Sequence, residues 1–215
     1  MAHILPFLML PEEKLRQLKR ENILYRWGLT VEELTLIVDT NPSMRGLMMG
    51  YVAEYKLRKI HFEDPRISAL IKDDDHNRKS KGDIRFNYRG QSFRIECKSL
   101  QTNLIRKTAD GYAATYQCDA SDSRVVRFSD GSEVKTTCLL TGEFDIVAVN
   151  MFALEEDWVF AFALNRDLPR SRYRKYSELQ QRELIASSIK ISYPLHPPYV
   201  SDPFVLLDRL VDDAK

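Results

Sequence analysis

Two short runs do most to limit how this chain can fold: "FDIVAVNMF" at 144–152 and "WVFAFAL" at 158–164, both almost continuously apolar. Each falls far short of the ~20 apolar residues that a membrane-spanning helix needs. Their length and their Val, Ile and Phe content read as strands buried on both faces. A sheet built around such strands must be covered on both sides, so the rest of the chain has to supply two covering layers. With 215 residues, 44% of them apolar, it is long enough to do so.

The other elements follow from local signals. Residues 12–26, rich in Glu, Lys, Leu and Arg, predict a short helix. Thr30 with Glu33 three residues on is a capping box, so a helix is expected from Val31. Asn41 and Pro42 predict a turn, and Ser43 is expected to cap a third helix, with Gly46 and Gly50 allowing close packing. The segment "ISALIKDDDHNRKSKG" reads as a polar loop. Beyond it, Ile84, Phe86 and Tyr88 alternate with polar residues, as do Phe93, Ile95 and Cys97, with Arg89 and Gly90 between the two sets. Period two on either side of a two-residue break predicts a hairpin.

"SRVVRFSDGSEVKTTCLL" is a second hairpin turning at Asp130–Gly131. "SELQQRELIASSIKI" is expected to be helical, and "SDPFVLLDRLVDD" is a last helix capped by Asp202 with Pro203 at its first position. The expected fold class is α/β, a mixed central sheet flanked by helices with a helical N-terminal region. The expected division is 1–42 helical and 43–215 the main domain, with 108–141 an insertion.

Three cysteines at wide spacing argue against a disulfide framework and a zinc knuckle, and a reducing cytoplasm is the expected location. The N-terminal stretch is apolar for about ten residues and carries its positive charges after that run, unlike a signal peptide. No membrane association is expected.

The first hairpin carries the chemistry. Glu96 and Lys98 are two apart on one strand and leave the same face. Asp83 heads the neighbouring strand. Two carboxylates and an ammonium gathered in this way suit a magnesium ion and a phosphate, because magnesium takes carboxylate, water and phosphate oxygens. A solvated strand face is the competing reading.

Lys81-Gly82-Asp83, a turn, then Glu96-Cys97-Lys98 resembles the PD-(D/E)XK nuclease superfamily, the restriction-endonuclease-like fold, with Gly82 where proline often stands. Glu54, in "GYVAEYKL", matches the further acid that such families carry on the helix before the first strand. The resemblance spans roughly 43–165. It implies Asp83 and Glu96 as ligands of magnesium (or manganese in its place), Lys98 as the residue assisting the attacking water, and Glu54 as a further catalytic carboxylate. It also implies a double-stranded DNA substrate cut to leave a 5′-phosphate, commonly by a homodimer. The function read from it is a type II restriction-type endonuclease. The alternatives are a repair, recombination or phage-defence nuclease of the same fold, and a non-catalytic DNA-binding protein on a nuclease scaffold.

The net charge of +1 decides nothing about DNA, but local surpluses bear on it. Between Lys72 and Lys107 ten Lys and Arg stand against five Asp and Glu. "NRDLPRSRYRKY" concentrates Arg170, Arg172, Arg174 and Lys175 and suits a phosphate backbone. The 108–141 segment is the candidate for base reading, through Arg124 and Arg127 together with Gln117, Asp119, Ser121 and Asp122.

Overall fold

Arg89 and Gly90 both take positive φ, 46° and 79°, the backbone of the tight two-residue turn whose twist suits a hairpin. The turn joins β2 (Ile84–Tyr88) to β3 (Gln91–Ser99) with Tyr88 opposite Gln91 and Ile84 opposite Ile95. The computed structural model describes residues 13, 16–17, 22–72 and 82–214, and its contacts divide the chain into Met1–Met49 and Gly50–Lys215.

In the first unit, α1 (Ile23–Trp27) starts at Asn22, whose side chain accepts from the amides of Leu24 and Tyr25. The run from 12 to 26 is therefore not one uninterrupted helix. The expected capping box is present at the start of α2 (Val31–Thr40): Thr30 Oγ1 accepts from Glu33 N at 3.1 Å, and Thr30 N donates to Glu33 Oε2 at 2.8 Å. Helix α3 (Pro42–Leu57) opens on Pro42 itself, with Arg45 N donating to Asn41 O, so Ser43 lies inside the helix instead of capping it. Proline suits a first helical position, where its missing N–H has no intrahelical partner to lose. A Cβ at Gly46 or Gly50 would meet nothing within 4 Å, so close packing is not what these glycines serve.

The second unit is organised by one five-stranded sheet made of β1 (Ile67–Lys72), β2, β3, β8 (Ile146–Asn150) and β9 (Phe160–Leu164), in that order. Strand β1 (Ile67–Lys72) occupies what the sequence suggested was loop. It was hidden because Ala69 takes φ 52° and a bulge between Ser68 and Ile71 breaks the period-two pattern. Residues 73–81, including Asp73, Asp74 and Asp75, lie outside the described residues. Strands β8 (Ile146–Asn150) and β9 (Phe160–Leu164) are buried at every position, as their composition requires. All neighbours are antiparallel except β3 and β8, which run parallel, so the sheet is mixed as expected.

The two faces are covered differently. On one, Phe86, Ile95, Ala148 and Phe162 pack with Leu57 and Phe62 and with α5 (Pro203–Asp213) through Phe204, Leu207 and Val211. Asp202 caps α5 and Pro203 is its first residue. On the other face, Val147, Val149, Ala161 and Ala163 pack with Tyr116, Ile189 and Ile191. These last belong to a second sheet of β10 (Ser188–Tyr193), β5 (Gly111–Gln117) and β4 (Arg106–Thr108), in that order.

Helices thus cover one face and strands the other, so the sheet is mixed as expected but the flanking helices lie on one of its faces. Helix α4 (Glu178–Glu183) ends before "IASSIKI", where buried Ile189 and Ile191 alternate with Ser188 and Lys190. That period of two outweighs the helical signal upstream. The segment 108–141 also divides. Its first part builds the second sheet and buries Ala114 and Tyr116, while β6 (Asp119–Arg127) and β7 (Glu133–Cys138) form the expected hairpin around Asp130–Gly131.

Gly111 joins the two sides of the second sheet. It has φ 146°, and a Cβ there would lie 1.9 Å from Tyr193 O and 2.8 Å from Pro194 Cδ. Gly111→Ala should therefore part β5 from β10 and cost about 3 kcal/mol or more. Urea denaturation followed by tryptophan fluorescence checks this, and an unchanged midpoint would contradict the packing.

Candidate active site

Phe93, Ile95 and Cys97 of β3 turn toward the helix-covered face. Period two then sends Arg94, Glu96 and Lys98 to the face that carries the second sheet. The parallel neighbour agrees, since Glu96 pairs with Val147 and Lys98 with Val149, both on that face. Asp83 precedes Ile84, the partner of Ile95, so one step back along the register it stands beside Glu96. Its amide donates to Ile95 O at 2.8 Å, and its Oδ2 accepts from Cys97 N at 2.7 Å.

Glu96 is buried, at 8% exposure, and its Oε1 lies 2.7 Å from Lys98 Nζ. Lys98 Nζ also donates to the backbone carbonyl of Asp119 at 3.0 Å. The structure thus brings together Asp83, Glu96 and Lys98. Glu54 reaches the neighbourhood from α3 and makes its own ion pair, with Lys72 Nζ 2.9 Å from its Oε2; the approach is a charge contact and not an aligned hydrogen bond.

The charges act on one another strongly because water is largely excluded. Burial first, and then the Glu96 charge, raise the Asp83 carboxyl; Lys98 and the Cys97 amide oppose the rise, Glu54 adds a smaller push, and the net result is about 7. For Lys98, burial favours loss of the proton, but the Glu96 and Asp83 carboxylates outweigh it and hold the ammonium above its usual range. Burial likewise raises the Cys97 thiol, helped by the same carboxylates, which disfavours its reactive thiolate form.

Two carboxylates that resist sharing a buried space would be relieved by a cation. Asp83 and Glu96 fit magnesium, which keeps several of its own waters and needs only one or two carboxylates from a protein. Among the described residues no group of three or more His, Cys, Asp or Glu is arranged to enclose a metal ion, so a site here would be open and mostly hydrated.

The predicted DNA-facing residues have separate fates. Arg124 is clamped end-on by both carboxylate oxygens of Glu143 and also donates to Cys138 O at 3.2 Å. Arg127 is exposed and pairs with Glu133 at 2.7 Å. Arg170 spends its guanidinium on the carbonyls of Leu168 and Arg166. Arg172, Arg174 and Lys175 are exposed on the loop before α4.

The basic surplus around the site is also smaller than the sequence count. Lys72, Arg89, Arg94 and Lys98 each have an acidic partner, namely Glu54, Asp208, Asp145 and Glu96. Sequence reasoning missed the Asp119 carbonyl against Lys98, because a backbone contact leaves no residue-type signal. It also missed the Glu143 clamp, for which a lone acid 19 residues from Arg124 was the only trace.

Comparison with known proteins gives little to set beside this geometry. No protein-family profile matches the chain, and no curated protein matches it. Among solved structures it is similar to a bacterial homing endonuclease, I-Ssp6803I, at 12% identity and a TM-score of 0.35, over 63% of this chain and 85% of that one. An overlap that loose does not assign a fold. No helix among the described residues is long and apolar enough to cross a membrane.

The strain at Asp83 has a measurable consequence. Its folded pKa lies above the ordinary 3.8, so the native state binds more protons than the unfolded chain between pH 3.8 and about 7. Stability from this group therefore falls as pH rises across that window and stays low above it. In EDTA, Asp83→Asn should raise stability at pH 8 by at most about 4 kcal/mol, and the gain should close toward pH 4. Equal denaturation midpoints for variant and wild type at pH 8 would show that Asp83 carries no such strain.

Proposed function

We propose that this protein is a magnesium-dependent endodeoxyribonuclease of the PD-(D/E)XK type, acting on double-stranded DNA as a restriction-type enzyme. The observation that carries the reading is the meeting of the Asp83 carboxylate with the Glu96–Lys98 pair on one face of a mixed sheet. A structural ion pair would account for Glu96 and Lys98. It would not account for a third charged group, Asp83, buried beside them at an energetic cost.

In this reading Asp83 and Glu96 hold the magnesium ion, or manganese in its place. The bound ion supplies a lowered water pKa and neutralises charge that develops on the phosphate. Lys98 is held charged by its two acidic neighbours, so it acts as a hydrogen-bond donor and a fixed positive charge, not as a base. An ammonium has three N–H donors. Glu96 and the Asp119 carbonyl take two, which leaves one to orient the attacking water or to meet the non-bridging oxygen on phosphorus. Water adds to phosphorus, the bond to the 3′ oxygen breaks, and the products are a 5′-phosphate and a 3′-hydroxyl. Glu54 contributes negative charge from α3 and keeps Lys72 beside it.

Arg172, Arg174 and Lys175 are the side chains of the basic loop that remain exposed for a phosphate backbone. Base reading falls to the β6–β7 hairpin, where Arg127 is exposed and Arg124 would first have to leave Glu143. A homodimer would place two such sites on the two strands of a duplex.

Incubation of plasmid DNA with magnesium, and with EDTA in parallel, tests the reading. Discrete metal-dependent fragments are expected; a smear would indicate a nonspecific nuclease, and a gel shift without cutting a binding protein. Lys98→Ala and Glu96→Ala should each lower the cleavage rate by about 100-fold or more while DNA binding stays within a few fold. Near-normal cutting by either variant would mean that the reacting groups lie elsewhere.

Arg172→Ala and Arg174→Ala should weaken binding to every sequence alike and reduce its salt dependence, the signature of a lost phosphate contact. Arg127→Ala should relax preference at one base position, at a cost of roughly 1–3 kcal/mol. Binding to a library of single-base variants at two salt concentrations separates the two patterns.

A further inference from the structure

The start of β6 touches Lys98, and a short chain of side chains holds it there. Gln101 Nε2 donates to Gln117 Oε1 at 3.1 Å, and Gln117 Nε2 donates to Asp119 Oδ2 at 2.8 Å. The Asp119 carbonyl, in turn, accepts from Lys98 Nζ at 3.0 Å. These bonds form a circuit: Gln101 lies three residues beyond Lys98, and its backbone N–H donates to Thr115 O at 2.8 Å. Both ends of the circuit are therefore anchored to β3 and β5.

The circuit bears directly on where the ammonium sits. Glu96 and Lys98 are two apart on the strand, and their ion pair alone would draw Nζ along the sheet toward the carboxylate. The Asp119 carbonyl, on β6, is a second acceptor. With two partners on two different strands, the tetrahedral ammonium is restricted in rotation as well as in position, and so is the aim of its third N–H. The Asp119 carbonyl is a backbone group at the point where β5 gives way to β6, so its aim depends on how that corner is held. The corner is held by the Cys118 N–H donated to Ser187 O, by the pairing of Asp119 with Cys138, and, at the side chain of Asp119 itself, by the Gln117 bond.

We propose that Asp119 and Gln117, with Gln101 behind them, are positioning residues that aim the third N–H of Lys98 at the reacting phosphate. The proposal rests on the nuclease reading for its purpose but not for its geometry. It also gives the β6–β7 hairpin a second task, because the strand that begins at Asp119 continues to the hairpin tip.

The test uses the full-length protein. Single-turnover cleavage of a plasmid at saturating enzyme, gel-shift affinity, and NMR of the 15Nζ-labelled lysine ammonium are measured for wild type, Gln117→Ala, Asp119→Ala and Asp119→Asn. Thermal melting checks that each variant is folded. Gln117→Ala and Asp119→Ala should slow the single-turnover rate by about tenfold with affinity unchanged, and should speed hydrogen exchange at the Lys98 ammonium. Asp119→Asn keeps an acceptor for Gln117 and should recover most of the loss.

Wild-type rates and an unchanged Lys98 signal in both alanine variants would overturn the proposal. So would weakened affinity with an unchanged rate at saturation, which would make these residues DNA contacts. If the wild type itself does not cut while the Lys98 signal still changes in the alanine variants, the positioning role stands and the nuclease reading falls.

Discussion

The parallel pairing of β3 with β8 is the constraint from which the rest of the second unit follows. Parallel neighbours cannot be joined by a tight turn, so the chain has to leave the sheet after Ser99 and return at Ile146 in the same direction. The connection that does this builds β4 and β5, which pair with β10 over the exposed face, and then the β6–β7 hairpin. A strand pair buried on both faces thus obtains part of its second cover from its own crossover and the rest from β10. The return point is pinned at Arg94, whose amide donates to Asp145 Oδ2 at 2.7 Å and whose carbonyl accepts from Asp145 N.

The same crossover creates the electrostatic character of the site. Val147, Val149 and the second sheet bring apolar cover close to β3, so Glu96 and Lys98 leave the sheet into space with little water. In such surroundings neighbouring charges act at several times their strength in water. The ammonium stays charged because it has two carboxylates, and one carboxylate, Asp83, is strained because it is buried and has a carboxylate neighbour. That imbalance, two acids against one base, is what a divalent cation would correct and what a purely structural ion pair does not need.

Much of this was legible in the chain because the relevant signals were local. Thr30 with Glu33, Asp202 with Pro203, the Arg89–Gly90 turn and the two apolar strands each announce their structure within a few residues. The pairing of Glu96 with Lys98 follows from strand periodicity alone. The failures were of two kinds. Strand β1 and strand β10 sit where a bulge, or a preceding helical segment, masks an alternation of two.

The partners of the arginines are long-range. Nothing near Arg124 announces Glu143, and nothing near Arg89 announces Asp208 on α5. A count of basic residues therefore overstates the free positive charge, since many of the cancelling acids are distant in sequence. The Asp119 carbonyl is the extreme case, a contact made by an atom that every residue carries.

The edges of the central sheet limit how two copies of this chain could meet. At β1 the left-handed turn at Ala69 and the bulge beside it throw the backbone amides out of line, so no second strand can lie flat along it. At β9 the outer amide and carbonyl of Phe162 are already taken by Val200, at 2.8 and 2.9 Å. At both of these points the central sheet resists extension by a strand of a second copy. Where two copies meet through other surfaces, the spacing between their two sites is set by elements that can change without disturbing the strands that carry Asp83, Glu96 and Lys98.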